Sequence, residues 1–205
     1  MIKMENKRFK KLNDVDHYGP PIWLLIHKFA VNYSVTDEEE PYCAMIHLLA
    51  KNFPCCVCRN HFIELLKLHP VEKATQDKTT LFKWGVDIHN SVNRSIHKPN
   101  MSYEKAESVF NEPRIDSHAI DNAIFTILFA FSSAFCSNED LNELLEATMW
   151  MLPVHIHLKY SEAILNNKFN YVNDDGFKWI YNIYKHIVPH PKKYKDVAEF
   201  FHRSH

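Results

Sequence analysis

Asn52-Phe53-Pro54-Cys55-Cys56-Val57-Cys58-Arg59-Asn60-His61-Phe62 is the stretch on which the reading of this chain turns. Met45, Leu48, Leu49 and Phe53 form one helical stripe, which Pro54 ends. Phe62, Leu65 and Leu66 belong to the next helix, and a proline suits its start. The outer cysteines, Cys55 and Cys58, have the Cys-x-x-Cys spacing. On a first helical turn that spacing places both sulfurs on one face, close enough to bond. The unpaired amides and the dipole at a helix start favour a thiolate, which is what disulfide exchange requires.

The same periodicity extends outward. Trp23, Ile26, His27, Ala30 and Val31 share a face, behind the stop-and-start signal Tyr18-Gly19-Pro20-Pro21. Leu81, Trp84, Gly85, Ile88 and Val92 mark a fourth helix, and Ser102 to Phe110 a short fifth. No convincing period-two strand occurs. The expected fold is all-α, a helix bundle.

Four anchors of the first half recur in order in the second. Ile22-Trp23-Leu24-Leu25 is echoed by Ile124-Phe125-Thr126-Ile127. Phe53-Pro54-Cys55-Cys56-Val57-Cys58 is echoed by Leu152-Pro153-Val154-His155-Ile156-His157. Phe82-Lys83-Trp84 returns as Phe177-Lys178-Trp179, and His97-Lys98-Pro99 loosely as His190-Pro191. This pattern reads as a duplication whose second copy lost both cysteines, at Val154 and His157. Three segments are expected: a basic arm over 1–17, a redox domain over 18–112, and a degenerate helical domain over 119–205. The linker falls near Pro113. Two copies with similar apolar faces would pack as an internal pseudo-dimer.

Composition narrows the function. The 205 residues are 46% apolar and 24% charged, ordinary for a soluble globular chain. Three glycines leave little material for a phosphate-cradling loop. A net charge of −1 gives no global field for nucleic acid, and the basic start (Lys3, Lys7, Arg8, Lys10, Lys11) reads as a solvated arm. No signal-peptide core follows it, and the most apolar run, Ala123 to Cys136, is too short to span a bilayer. Five cysteines, three of them clustered, suit a reaction centre or a metal site better than a secreted disulfide framework. Cys55, Cys58 and His61 also fit Cys-x-x-Cys-x-x-His, so a zinc-stabilised helical binding module is the alternative. A structural zinc takes four ligands, usually as two separated pairs, and no second pair exists.

Three separated motifs then point one way. Phe53-Pro54-Cys55-Cys56-Val57-Cys58-Arg59-Asn60-His61-Phe62 resembles the active-site segment of the Erv/ALR sulfhydryl oxidases. Tyr18-Gly19-Pro20-Pro21-Ile22-Trp23-Leu24-Leu25-Ile26-His27 resembles that family's opening segment. His89-Asn90-Ser91-Val92-Asn93 with Lys98-Pro99 is similar to its third. The resemblance covers about residues 18 to 110 and implies a small helix bundle holding FAD. It implies Cys55 and Cys58 as the catalytic pair, with Cys58 nearer the flavin. It implies cofactor contacts from Gly19, Trp23, His27, Tyr33, His89, Asn90, Asn93, Lys98 and Phe110, and no metal. Its chemistry would form disulfides in thiol-containing proteins, directly or through a thioredoxin-like carrier, with O2 as the final acceptor giving hydrogen peroxide.

The chain departs from the family at several points. Tyr18 replaces a tryptophan, and Pro20 often an arginine. Val86 and Tyr103 stand where many members have a structural disulfide, so packing must hold those helices. No second Cys-x-x-Cys is present to act as a shuttle, as in the minimal viral members. A viral member would work in host cytoplasm or in the virion. Cys56 is expected as a buried small residue, and Cys43 and Cys136 as ordinary buried thiols. Ile183-Tyr184-Lys185 lies where the second copy would need its His-Asn motif, so that copy is expected to bind no FAD. It would replace the second subunit of a homodimer, and further homo-oligomerisation stays open.

Overall fold

The computed structural model describes residues 15–111, 116–134, 136–169 and 174–201. Ten α-helices occupy these residues: α1 Val15–Asn32, α2 Glu39–Asn52, α3 Cys56–Leu68, α4 Lys78–Ser95, α5 Tyr103–Phe110, α6 Ser117–Ser132, α7 Asn138–Trp150, α8 Val154–Asn166, α9 Gly176–Ile187 and α10 Tyr194–Phe201. A 3₁₀ turn, Val71–Lys73, joins α3 to α4. No strand occurs among the described residues, so the all-α expectation holds.

Five of the ten starts are set by short polar side chains that accept a hydrogen bond from an otherwise orphaned amide. Asp77 caps α4, Ser102 caps α5, Asp116 caps α6, Ser137 caps α7 and Asp175 caps α9. Helix α1 differs from expectation. It begins at Val15, inside the expected arm, and runs through Pro20 and Pro21 instead of starting after them. The prolines lack the N–H groups that would bind the carbonyls of Asp16 and His17, but both residues lie at the exposed helix start. The rest of the arm and Pro113 lie outside the described residues.

The helices fall into two sets in chain order, α1–α5 and α6–α10. Across the seam, α1 packs on α6 and α2 on α7. Phe29, Phe125 and Phe131 are among the fully buried side chains. An exposed lysine, Lys51, donates across the seam to nearly buried Asp140 at 2.8 Å.

The cross-link expected to be missing between α4 and α5 is replaced by polar ties. Val86 is buried, and the Tyr103 hydroxyl donates to Asp87 at 2.8 Å. Asn90 binds Met101 reciprocally. Its amide donates to the Met101 carbonyl and its oxygen accepts from the Met101 N–H, both at 2.9 Å.

Candidate active site

Cys55 is the N-cap of α3, in extended backbone at φ −78° and ψ 110°. Its sulfur accepts a hydrogen bond from the Cys58 N–H at 3.2 Å. The two cysteines form a disulfide, with Cα atoms 5.3 Å apart. Pro54 leads into this turn as the sequence implied. Both cysteines are half-buried, so the bond is open to a second thiol. Cys56 corrects an expectation, because it is exposed and not buried. At the second position of the turn its side chain points away from the Cys55–Cys58 face. Cys43 and Cys136 are half-buried free thiols. Burial pushes them up to about 11 and about 12, chiefly by disfavouring the thiolate.

Cys58 and Phe62 are four apart and share one face of α3. Phe62 meets Trp23 of α1 edge-on, with ring centroids 6.1 Å apart. Trp23 in turn stacks flat on His89 of α4, at 4.0 Å and 4°. His27 Nε2 lies 2.9 Å from His89 Nδ1, and the His27 ring stacks on Phe110 of α5 at 4.3 Å. Phe82 closes the far side of His27 at 6.4 Å. Four helices thus converge on one aromatic and imidazole cluster, beginning one turn from the disulfide.

The two imidazoles are neutral near pH 7. Burial, then repulsion from His89, holds His27 down to about 3. Burial, then nearby Lys98, holds His89 down to about 4. His27 Nδ1 is buried and has no hydrogen-bond partner. A buried polar atom left unpaired in this way calls for an explanation, such as a group that completes the site.

The other candidates separate into distinct roles. Asn90 and Asn93 both reach the loop after α4, Asn90 at Met101 and Asn93 at the Pro99 carbonyl (3.3 Å). They shape the loop beside the cluster, and Lys98 stands exposed on that loop. Gly19 is buried in α1, where an added Cβ would crowd Val15 at 3.2 Å. Tyr33 is not brought to the cluster. Its hydroxyl donates to the Thr75 carbonyl at 3.1 Å, and its ring packs on Tyr42. Sequence reasoning did not single out Phe62 or Phe82 as site residues, since each reads as one more stripe residue until the helices meet. Among the described residues no three His, Cys, Asp or Glu side chains are grouped to hold a metal ion, and the proposed set of Cys55, Cys58 and His61 is not assembled.

A half-buried disulfide at a helix start thus lies beside an aromatic and imidazole cluster in an all-helical domain. Residues 20–111 match the Erv1 / Alr family, so the likeness seen in three motifs runs from within α1 to the end of α5. The chain is 28% identical over 100 residues to the FAD-linked sulfhydryl oxidase of African swine fever virus, covering 47% of this chain and 82% of that one. It is 24% identical over 106 residues to FAD-linked sulfhydryl oxidase ERV1 of Arabidopsis thaliana, covering 50% of this chain and 54% of that one. It is 31% identical over 83 residues to FAD-linked sulfhydryl oxidase ERV2 of Saccharomyces cerevisiae, covering 39% and 41%. The chain thus spans about half the length of these cellular relatives. No solved structure matches it.

Proposed function

We propose that the protein is an FAD-dependent sulfhydryl oxidase that introduces disulfides into thiol substrates through Cys55 and Cys58. The observation that carries this reading is the half-buried Cys55–Cys58 disulfide at the start of α3, whose next turn brings Phe62 onto the Trp23–His89–His27 cluster. The cluster fits a flavin nucleotide on the chain's own chemistry. It offers half-exposed aromatic faces at Trp23, His89 and Phe110, and an unpaired ring nitrogen at His27. Lys98 adds a cation for a phosphate. Trp23, His27, His89 and Phe110 would hold the group, and Asn90 and Asn93 would set the loop that carries Lys98.

In the reaction, a substrate thiolate attacks the Cys55 sulfur and the Cys58 thiolate leaves. A second substrate thiolate then attacks the substrate sulfur of the mixed disulfide and releases Cys55. The substrate leaves with a new disulfide, and the enzyme dithiol holds two electrons and two protons. Bound FAD would supply the two-electron acceptor for the dithiol, reached through Cys58, with O2 as the final acceptor giving hydrogen peroxide. The Cys58 N–H and the helix start stabilise the Cys55 thiolate when it is the leaving group. With no second Cys-x-x-Cys in the chain, substrates reach Cys55 directly or through a separate thioredoxin-like carrier.

The domain reading is part of the same proposal. Residues 18–112 form the redox domain, and residues 119–205 form a degenerate copy that takes the place of a second subunit and binds no flavin. The counterpart packing of α1 on α6 and α2 on α7 supports it.

The purified chain should be yellow, and dithiothreitol should drive oxygen uptake that Cys58→Ser abolishes. A colourless, fully helical protein that consumes no oxygen would refute the reading.

A further inference from the structure

We infer that Tyr18 is a positioning residue for the redox pair and that Phe131, from the second set of helices, holds it there. This deepens the thiol-oxidase reading and rests on it. As the N-cap of α3, Cys55 has no acceptor for its own N–H within that helix. The acceptor is the Tyr18 hydroxyl of α1, at 3.3 Å. Tyr18 is only 1% exposed. Phe53 packs on its ring at 6.2 Å, and Phe131 meets it edge-on at 6.3 Å and 77°. Phe53 and Phe131 also meet each other edge-on, at 6.3 Å. Three rings thus close a triangle, and a single hydroxyl leads from it to the backbone of the reacting cysteine.

That bond fixes the peptide between Pro54 and Cys55, which in turn fixes the Cys55 sulfur where it receives the Cys58 N–H. The donor favours the thiolate at Cys55, and therefore the dithiol over the disulfide. The second set of helices supplies a natural contrast. Its position equivalent to Tyr18 is Ile120, which has no hydroxyl, and its helix α8 starts with no cysteine to orient.

The test is the equilibrium of the full-length chain with reduced and oxidised glutathione, read as the fraction of Cys55–Cys58 protected from alkylation. Tyr18→Phe removes the hydroxyl and keeps the ring. It should shift the equilibrium toward the disulfide by roughly threefold to tenfold, the worth of one neutral hydrogen bond. That corresponds to a potential about 14 to 30 mV more negative. Phe131→Leu should shift it the same way, and in the Tyr18→Phe background it should add nothing. An unchanged equilibrium in Tyr18→Phe with native helical content would overturn the inference. So would a Phe131→Leu effect of equal size in both backgrounds. The assay needs neither flavin nor oxygen, so failure of the oxidase reading would show separately, as a colourless chain with an intact glutathione equilibrium.

Discussion

The two sets of helices solve the same packing problem with different side chains. In the first, the Trp84 indole donates to the His69 carbonyl after α3, at 3.0 Å; in the second, Trp179 donates to the Asn167 carbonyl after α8, at 2.9 Å. His97 and His190, the residues following α4 and α9 in the aligned motifs, both take a positive φ, 57° and 54°. The ring clusters also correspond. Counting from the shared anchors, Trp23, His27, Phe82, His89 and Phe110 become Phe125, Phe129, Phe177, Tyr184 and Phe201. Phe129 packs on Phe177 at 4.9 Å, on Tyr184 at 5.6 Å and on Phe201 at 5.5 Å. The second cluster is the first with its indole and both imidazoles replaced by phenyl and phenol rings. Phe125, Phe129 and Tyr184 are buried, whereas Trp23 and His89 stay half-exposed. The second cluster is filled by its own rings. The first cluster keeps an unpaired nitrogen at His27 and half-exposed rings at Trp23 and His89, and an unpaired buried polar atom costs stability.

The largest expected effect separates the two helix starts. Cys58→Ser should abolish dithiothreitol-driven oxygen uptake, while His157→Ser at the equivalent place should leave the rate unchanged. Equal losses in the two variants would break the comparison.

Acid should distinguish the clusters next. His27 and His89 have folded values of about 3 and about 4, below the unfolded value near 6.5. The unfolded chain therefore binds more protons in that window, and stability falls as pH drops from 6.5 toward 4. The slope is about 1.4 kcal/mol per pH unit for each imidazole. His27→Phe imports the second half's solution. It should remove one imidazole's share of the slope and lower the flavin content, as denaturation at stepped pH and an absorption spectrum would show. A slope unchanged by the variant would contradict the neutral-pair assignment.

The shared indole ties are smaller. Trp84→Phe and Trp179→Phe should each cost about 1 kcal/mol from the lost hydrogen bond, plus a packing loss of similar size in both. Urea melts that place the two costs more than ~1 kcal/mol apart would show that the equivalence is only topological. Smallest of all, Lys51→Ala at the seam should change stability by less than about 1 kcal/mol, because the lysine is exposed.

Much of this was legible from residue order. The helices follow stripes such as Leu81, Trp84, Ile88 and Val92, and the breaks follow Pro54 and Pro153. The disulfide follows from Cys55 and Cys58 on one turn. Partner choice across the bundle was less legible. Asn90 and Asn93 belong to the motif, yet their side chains donate to the Met101 and Pro99 carbonyls of a loop. Tyr33 aligns with a cofactor contact, yet folds onto Thr75 once the chain turns after α1. Phe62 and Phe82 carry no periodic signature beyond their stripes. Cys56 lies outside the core because the first turn of α3 faces water on that side, which a count of small residues does not reveal.

Among the described residues the one disulfide is Cys55–Cys58. Helix α5 is fastened by the Asn90–Met101 pair and the Tyr103–Asp87 contact, none of which can be reduced. Reductant can therefore cycle the dithiol without loosening the frame around it. A strongly reducing surrounding would open the Cys55–Cys58 bond and leave the hydrogen bonds that fasten α5 in place.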